Sequence, residues 1–216
     1  MWVTMLVAAV GGLLVAGCTG VQQADQPASI QDRVDACSAS AGKDPFAFNP
    51  AATPGASDPP FSNDKLPPAI QVDENRHRLL AMRIGVGVQV YDHDPASGNW
   101  AFREPQANLY DMGTGVQHGI HFAGPYWTDV DGSRVKAKVS GEVNAPVDSA
   151  QNIKWLRLEA VEKFGSNDDV LGQVTFIQRV LTRGGQSPAM RQPPQGCTTI
   201  SVPYTALYLF WAQKPQ

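Results

Sequence analysis

Alternating hydrophobic and polar residues cover much of the chain after residue 78. In LLAMRIGVGVQVYDHD, residues 79–94, apolar side chains alternate with polar residues and with Gly85 and Gly87. In RVKAKVSGEV, residues 134–143, valine and alanine alternate with charged residues. A period of two is typical of a strand with one buried face, so both stretches are predicted strands. The two glycines indicate a bulge or a close backbone approach in the first strand. The inward-facing residues predicted for the second strand are Val135, Ala137, Val139 and Val143.

Three more strands are predicted in the second half of the chain. They are IKWLRLEAVEK at 153–163, LGQVTFIQRVLT at 171–182 and PYTALYLFWA at 203–212, all rich in β-branched and aromatic residues. Turn residues such as Asp131-Gly132 separate the predicted strands. No helical stretch among them is long enough to connect parallel strands. The pattern therefore predicts an all-β fold, an antiparallel β-sandwich or a barrel-like domain, over residues 64–214.

The first seventeen residues carry no charge and end in small residues, as a signal peptide does. LVAGC, residues 14–18, resembles a bacterial lipobox, which predicts a lipoprotein signal peptide at residues 1–17 and lipidation of Cys18. No Lys or Arg precedes the apolar run, and an ordinary hydrophobic N-terminus is the alternative. We expect a lipid-anchored protein of the cell envelope, and Thr19 favours the outer membrane, facing the periplasm.

Residues 18–63 are predicted to be a flexible tether. Proline, alanine, serine and glycine dominate this stretch, and such a composition does not bury enough apolar surface to fold alone. Within it, Ile30, Val34 and Cys37 share one face of a short helix predicted near residues 29–39. We expect that face to dock on the β domain.

Charge and cysteine content narrow the function classes. The formal net charge is −3 and no Lys/Arg cluster is present, so nucleic acid is not an expected partner. If Cys18 carries lipid, Cys37 and Cys197 remain, and in an oxidising compartment they are predicted to form a disulfide. Two free thiols or a thiol redox site are the alternatives.

Several longer motifs resemble one known family. VGVQVYD, WAFREPQANLYD, GIHFAGPYWTDVDGSRVKAKV, IKWLRL, VTFIQRVLTRGGQSPA and VPYTALYLF occur in the order found in a secreted domain of bacteria and fungi, domain of unknown function family 3455. The resemblance covers residues from about 64 to 212 and implies a secreted β domain with no established activity. Many relatives carry a cysteine after VQVY, where this chain has Asp92 and His93. The resemblance therefore implies that Cys197 pairs with Cys37.

His118 and His121 have the spacing His-x-x-His, and His93 is a possible third ligand of a zinc ion. On a strand, His118 and His121 face opposite sides, so a shared metal requires a turn at Gly119. The alternative is a packed His121 beside Trp127, with the other two histidines in solvated loops. Asp129-x-Asp131-Gly132 opens many calcium loops, but the cations that follow favour a hairpin turn.

Arg179 is the most informative single charge, because it lies in a mid-strand position among apolar residues and is costly there unless it is paired. Either it reaches the surface or it meets a buried carboxylate, for which Glu104 and Asp129 are candidates. Together with His121 and Trp127, it predicts a polar pocket for an anionic group. Tyr126 and Tyr204 are expected nearby.

The sequence therefore predicts a non-catalytic binding or interaction module, without a cofactor, whose partner is a cell-wall glycan or another envelope protein. A metal-dependent hydrolase using the His118 and His121 region is the first alternative. A purely structural envelope protein is the second.

Overall fold

The computed structural model describes Ala47, residues 62–189 and residues 197–215. This part of the chain is all-β, with eight antiparallel strands in one sheet. The strands are β1 (His77–Asp94), β2 (Asn99–Asp111), β3 (Gln117–Phe122), β4 (Tyr126–Thr128), β5 (Arg134–Val143), β6 (Trp155–Phe164), β7 (Val174–Gly184) and β8 (Thr199–Gln213).

The sheet closes on itself as a barrel in which each strand pairs with its neighbours in sequence. Closure is made by β1 and β8, which pair from His77 opposite Gln213 to Asp92 opposite Thr199. A closed barrel leaves no strand edge unpaired. The all-β antiparallel prediction is confirmed, and the barrel replaces the sandwich among its two forms.

The glycine-containing face of β1 is the interior face. Gly85 pairs with Leu109 and Ala206, two residues of the interior core, whereas Ile84 and Val86 belong to a separate cluster on the outer surface. A Cβ on Gly85 would lie 2.5 Å from the ring of Tyr208, so glycine makes room for that ring. The predicted close approach is confirmed.

The prediction for β5 is correct for Val135, Ala137 and Val139 and wrong for Val143. Val135 and Ala137 are buried inside the barrel, Val139 lines the barrel cavity although it is 51 % exposed, and Val143 packs with the outer cluster. Val139 pairs with Leu158 and Gly141 with Arg157, so Ser140 is an extra residue in β5 between Val139 and Val143. A shift of one residue moves the following side chains to the other face, so the period of two does not extend across a bulge.

Residues 62–76, here called the N-terminal strap, cover part of the outer surface. The strap contains two short 3₁₀ helices, Asn63–Lys65 and Pro68–Ile70. Its buried side chains, Leu66, Ile70 and Val72, pack on outward-facing residues of β1, β7 and β8. The strap therefore shields this part of the outer wall from solvent.

A buried glutamine fastens the strap to the barrel. Gln178 is fully buried, and its Nε2 donates to Asn63 Oδ1 at 2.8 Å and to the Ile70 carbonyl at 2.6 Å. Its Oε1 accepts from Trp211 Nε1 at 2.8 Å. Both ends of the amide are thus satisfied, as a buried polar group requires.

An arginine and two carboxylates form an ion-pair cluster inside the barrel. Arg83, which faces inward on β1, contacts Asp111 and Asp129 at 3.4 Å each. Beside it, the Asp131-Gly132 turn predicted from the sequence is present, and Asp131 Oδ2 accepts from the Val170 amide at 2.9 Å. These contacts tie the β4–β5 turn to the loop after β6.

Several predictions fall on residues outside the described part of the chain. They are the signal peptide at 1–17, the tether at 18–63 up to the start of the strap, the helix near 29–39, and the roles of Cys18 and Cys37. The pairing of Cys37 with Cys197 stays a prediction for the same reason. Within the described ranges, no helix is both long and apolar enough to cross a bilayer.

Candidate ligand-binding site

A cavity of about 500 Å³ lies inside the barrel, at the end away from Arg83. Much of its wall is apolar, formed by Phe102, Pro105, Pro125, Val139, Ile153, Leu156 and Leu158. The polar wall is provided by Gln89, Tyr91, His121, Trp127, Arg179 and Tyr208, with Arg103, Glu142, Lys154 and Gln186 completing it. Eight-stranded barrels are just wide enough to be filled by side chains or to hold one small ligand, and this one leaves space.

Strand register brings the polar residues together. His121 on β3 pairs with Trp127 on β4, and Arg179 on β7 pairs with Leu156 on β6 and Tyr208 on β8. Directly paired residues in an antiparallel sheet share a face. Because one side chain of each pair points into the barrel, the side chains paired with it point inward as well.

His121 is buried and neutral. Its ring stacks on Trp127 with centroids 4.1 Å apart, and its Nδ1 lies 2.8 Å from the Tyr126 carbonyl oxygen. Because a carbonyl only accepts, Nδ1 carries the proton and Nε2 is the unprotonated nitrogen. Burial lowers the pKa of His121 from 6.5 to about 3, and the positive charge of Arg179 acts in the same direction.

Three tyrosines add neutral hydroxyl groups. Tyr91 donates to the Gly185 carbonyl at 2.6 Å, and burial raises its pKa to about 12. The hydroxyls of Tyr204 and Tyr208 lie 3.1 Å apart, and burial also raises the pKa of both residues. None of these hydroxyls is ionised near neutral pH.

Arg179 carries a charge inside the barrel without a carboxylate partner. Its Nε and Nη2 donate to the Lys154 carbonyl oxygen at 3.2 and 3.0 Å. No carboxylate in the described ranges lies within ion-pair distance of its guanidinium. The suggested partners were wrong, because Glu104 lies beside Arg103 and Asp129 beside Arg83.

Other cations at the cavity are neutralised. Arg103 contacts Asp92 at 3.0 Å and Glu104 at 3.5 Å, and Lys154 contacts Glu142. Two large apolar side chains, Phe102 and Val139, are about half exposed and also line the cavity. These exposed members of the wall mark where the cavity meets solvent.

Two buried donors at the cavity have no acceptor. Trp127 Nε1 and Gln89 Nε2 are both inaccessible to solvent, and neither has a hydrogen-bond partner among the described residues. Native interiors leave few such groups, and each one calls for an explanation. Both residues line the cavity, although neither of the two donor atoms is itself exposed to it.

The five predicted ligand-binding residues occupy three kinds of position. His121, Trp127 and Arg179 line the cavity together. Tyr204 is buried behind them, with its hydroxyl on that of Tyr208. Tyr126 lies on the outer face, where its hydroxyl donates to Glu162 Oε2 at 3.2 Å, and it reaches the site only through its backbone carbonyl.

The sequence reasoning missed Gln89, Tyr91 and Tyr208. Tyr208 could have been found, because it lies four residues after Tyr204 on one strand and therefore on the same face. Gln89 and Tyr91 lie on the polar face of β1, which the pattern alone does not identify as interior.

The histidines of the suggested metal site do not meet. His93 packs edge-on against Trp100 near the β1–β2 hairpin, and His118 lies 3.9 Å from Asp129, whereas His121 is in the cavity. Across residues 62–189 and 197–215, no three His, Cys, Asp or Glu side chains form a group that could hold a metal. The geometry for the His118 and His121 hydrolase is therefore missing.

Comparison with known proteins identifies a family but no close relative. The family model described as "Protein of unknown function (DUF3455)" matches residues 74–212, which is more than half of the chain and spans all eight strands. The comparison with curated proteins found no match, and neither did the comparison with solved structures.

Proposed function

Since the chain belongs to the DUF3455 family, whose description assigns no activity, we propose a function from the geometry of the barrel: the protein binds a small organic molecule inside its cavity. This is a specific form of the non-catalytic binding module predicted from the sequence. The ligand binds inside the barrel of a single chain, in the cavity whose wall includes residues of all eight strands.

The observation that carries this proposal is the cavity itself. Its volume of about 500 Å³ falls within the range of roughly 300–1,000 Å³ that is usual for small-molecule sites. Such sites combine apolar walls with convergent polar groups, and here about half of the wall is apolar and the rest is polar. A purely structural barrel of this size would instead fill its interior with side chains.

The titration of the polar groups favours binding over proton transfer. An efficient general acid or base has a pKa near the working pH. The pKa of His121 lies near 3 and that of Tyr91 near 12, so each stays neutral around pH 7. These side chains act as fixed hydrogen-bonding groups for a ligand.

A titration with the uncharged fluorescent probe N-phenyl-1-naphthylamine tests the proposal. The full chain should bind the probe saturably, with one site per chain. Val139→Trp should weaken binding at least about tenfold, because Val139 lines the cavity and an indole there fills part of it.

The matched control is Val161→Trp. Val161 is also a partly exposed valine of the barrel, 46 % against 51 % for Val139, but it is not part of the cavity wall. The control should bind like the native chain. Equal affinities for Val139→Trp, Val161→Trp and the native chain, or no saturable binding at all, would contradict the proposal.

We also propose that the barrel is held at the bacterial envelope by lipid on Cys18 and by the residues between Cys18 and the strap. Support comes from the LVAGC motif and the proline-rich stretch that follows it. The expected partners are the membrane, through the anchor, and cell-wall glycan or an envelope protein near the barrel. Cys18→Ser should abolish incorporation of labelled palmitate and release the protein from the membrane fraction; membrane retention without label would contradict lipidation.

A further inference from the structure

We propose that the ligand carries one negatively charged group, which binds Arg179 inside the barrel next to an apolar body. This inference rests on the proposed function and names its ligand class: an apolar organic acid. A carboxylate and a sulfonate share the relevant chemistry, a planar or compact anion on a hydrophobic molecule.

The first step of the argument is the charge state of Arg179. A guanidinium is permanently charged in proteins, and withdrawing a charge from water is costly without a counter-charge. Arg179 is half-buried, its Nε and Nη2 donate to the neutral Lys154 backbone oxygen, and no carboxylate of residues 62–189 or 197–215 reaches the guanidinium. The described residues therefore leave this charge unbalanced.

The second step is the hydrogen-bonding capacity that remains. A guanidinium has five N–H groups, and the Lys154 carbonyl uses one from Nε and one from Nη2. A further contact joins the guanidinium to the Tyr208 hydroxyl, and the remaining N–H groups are available to an anion at the cavity wall. Charge-assisted hydrogen bonds of this kind are about twice as strong as neutral ones.

The third step is the neutrality of the surrounding groups. His121 is uncharged at pH 7, and Tyr91, Tyr204 and Tyr208 are not ionised. The positive charge of Arg179 opposes the burial-induced rise of the pKa of all three tyrosines, so its field extends through the cavity. An anion placed in the cavity enters that field without meeting a buried carboxylate.

The fourth step limits the ligand to one anionic group. Arg103 and Lys154 already have carboxylate partners, and Glu142 adds a negative charge to the wall. A second anionic group would therefore meet no unbalanced cation. Leu156, Leu158 and Ile153 supply the apolar surface for the rest of the molecule.

Two fluorescent probes that differ mainly in charge test this inference. 8-Anilinonaphthalene-1-sulfonate is N-phenyl-1-naphthylamine with an added sulfonate. The full native chain should bind the sulfonate probe at least tenfold more tightly than the neutral probe. Arg179→Met should weaken the sulfonate probe about 10- to 100-fold and leave the neutral probe within about twofold, because only the charged contact is lost.

Arg179→Lys and Arg78→Met complete the set. Arg179→Lys keeps the charge and should retain most of the preference for the sulfonate probe. Arg78→Met removes the same charge from an arginine outside the cavity wall, and it should bind both probes like the native chain.

The outcomes separate the two proposals. Binding of the neutral probe with no preference for the sulfonate, or a preference that survives in Arg179→Met, overturns the anion proposal and leaves cavity binding intact. No binding of either probe to the native chain overturns both. If Arg179→Met does not fold, Arg179→Lys decides, since equal affinities for the two probes in that variant overturn the proposal and a native preference supports it.

Discussion

Arg83 and Arg179 both face the barrel interior, but their surroundings give them different roles. Arg83 contacts two carboxylates, Asp111 and Asp129, whereas Arg179 contacts a backbone carbonyl. A buried ion pair that is complete holds parts of the fold together, and breaking it exposes an unpaired charge. Arg179 is half-buried, has no carboxylate partner among the described residues and lines the cavity, so it is available to a ligand. Both arginines pair with Tyr208 on β8, and their different contacts separate a structural role from a binding role.

Replacing Arg83 by methionine should lower the free energy of unfolding by about 3 kcal/mol, because Asp129 would remain buried without its cation. Arg103→Met is the matched control. Arg103 contacts Asp92, and both side chains are about 40 % exposed, so the loss there should stay at or below about 1 kcal/mol. Urea unfolding of the full chain measures both values. Equal losses for the two variants would show that the Arg83 cluster does not stabilise the fold.

His121 should make the fold sensitive to acid below pH 6.5. The folded pKa is lowered to about 3, so the unfolded chain binds more protons between these values, and the free energy of unfolding falls as the pH falls. From pH 7 to pH 5, the loss due to this residue is about 2 kcal/mol. His121→Gln should lack it. Chemical unfolding at both pH values measures the difference, and parallel behaviour of the variant and the native chain would refute a neutral, buried His121.

Sequence patterns predicted part of the site and left out the rest for a physical reason. His121, Trp127 and Arg179 could be found because a charged or polar residue within apolar strand residues needs a special environment. The partner of Arg179 could not be found, because pairing depends on strand register. Arg83 belongs to the polar face of its predicted strand. That face points inward because the sheet closes into a barrel, which the sequence pattern does not predict.

The N-terminal strap and β5 fit each other through backbone contacts. Gly141 lies against the Ala69 carbonyl oxygen, with no space for a Cβ between them. Arg157 on β6 adds a hydrogen bond from Nη1 to the Gln71 carbonyl at 2.8 Å. The strap is thus seated on the outer wall by specific contacts as well as by apolar burial, and it belongs to the folded unit.

Gly141→Ala should unseat the strap. The added methyl group collides with backbone, so we expect a loss of about 1–3 kcal/mol of unfolding free energy. The Val72 amide, which donates to Asn63 Oδ1 at 3.0 Å, should exchange its hydrogen faster. Gly113→Ala is the control, since its nearest neighbour would be 3.5 Å away, and it should change stability by less than about 0.5 kcal/mol. Full protection of Val72 in Gly141→Ala would contradict the seating.

Strands were predictable as elements, and their arrangement was not. The period of two located β1 and β5, and β-branched and aromatic content located the strands that overlap β6, β7 and β8. A bulge in β5 places Val143 on the opposite face from the predicted one. No local pattern in the sequence predicts the strap or its hydrogen bonds to Gln178. Gln178 could have indicated a segment packed on β7, because a glutamine in the middle of an apolar strand requires a buried polar partner.

The whole molecule combines a filled end with an open end. Around the filled end, Val135, Leu171, Val174 and Ile177 are almost completely buried, and Arg83 bridges two carboxylates. At the other end, the interior holds a cavity of about 500 Å³ that reaches solvent beside Phe102 and Val139. This asymmetry supports a barrel that is stabilised at one end and binds at the other.

The most direct test of ligand binding in the cavity is the indole N–H region of a ¹H–¹⁵N nuclear magnetic resonance spectrum of the full chain during titration with N-phenyl-1-naphthylamine. Trp127 lines the cavity and its Nε1 has no acceptor among the described residues, whereas Trp211 Nε1 donates to Gln178 on the outer wall. We predict that the Trp127 signal shifts and saturates at one equivalent of probe while the Trp211 signal stays in place. An unchanged Trp127 signal, with shifts confined to outer-wall residues, would contradict binding inside the barrel.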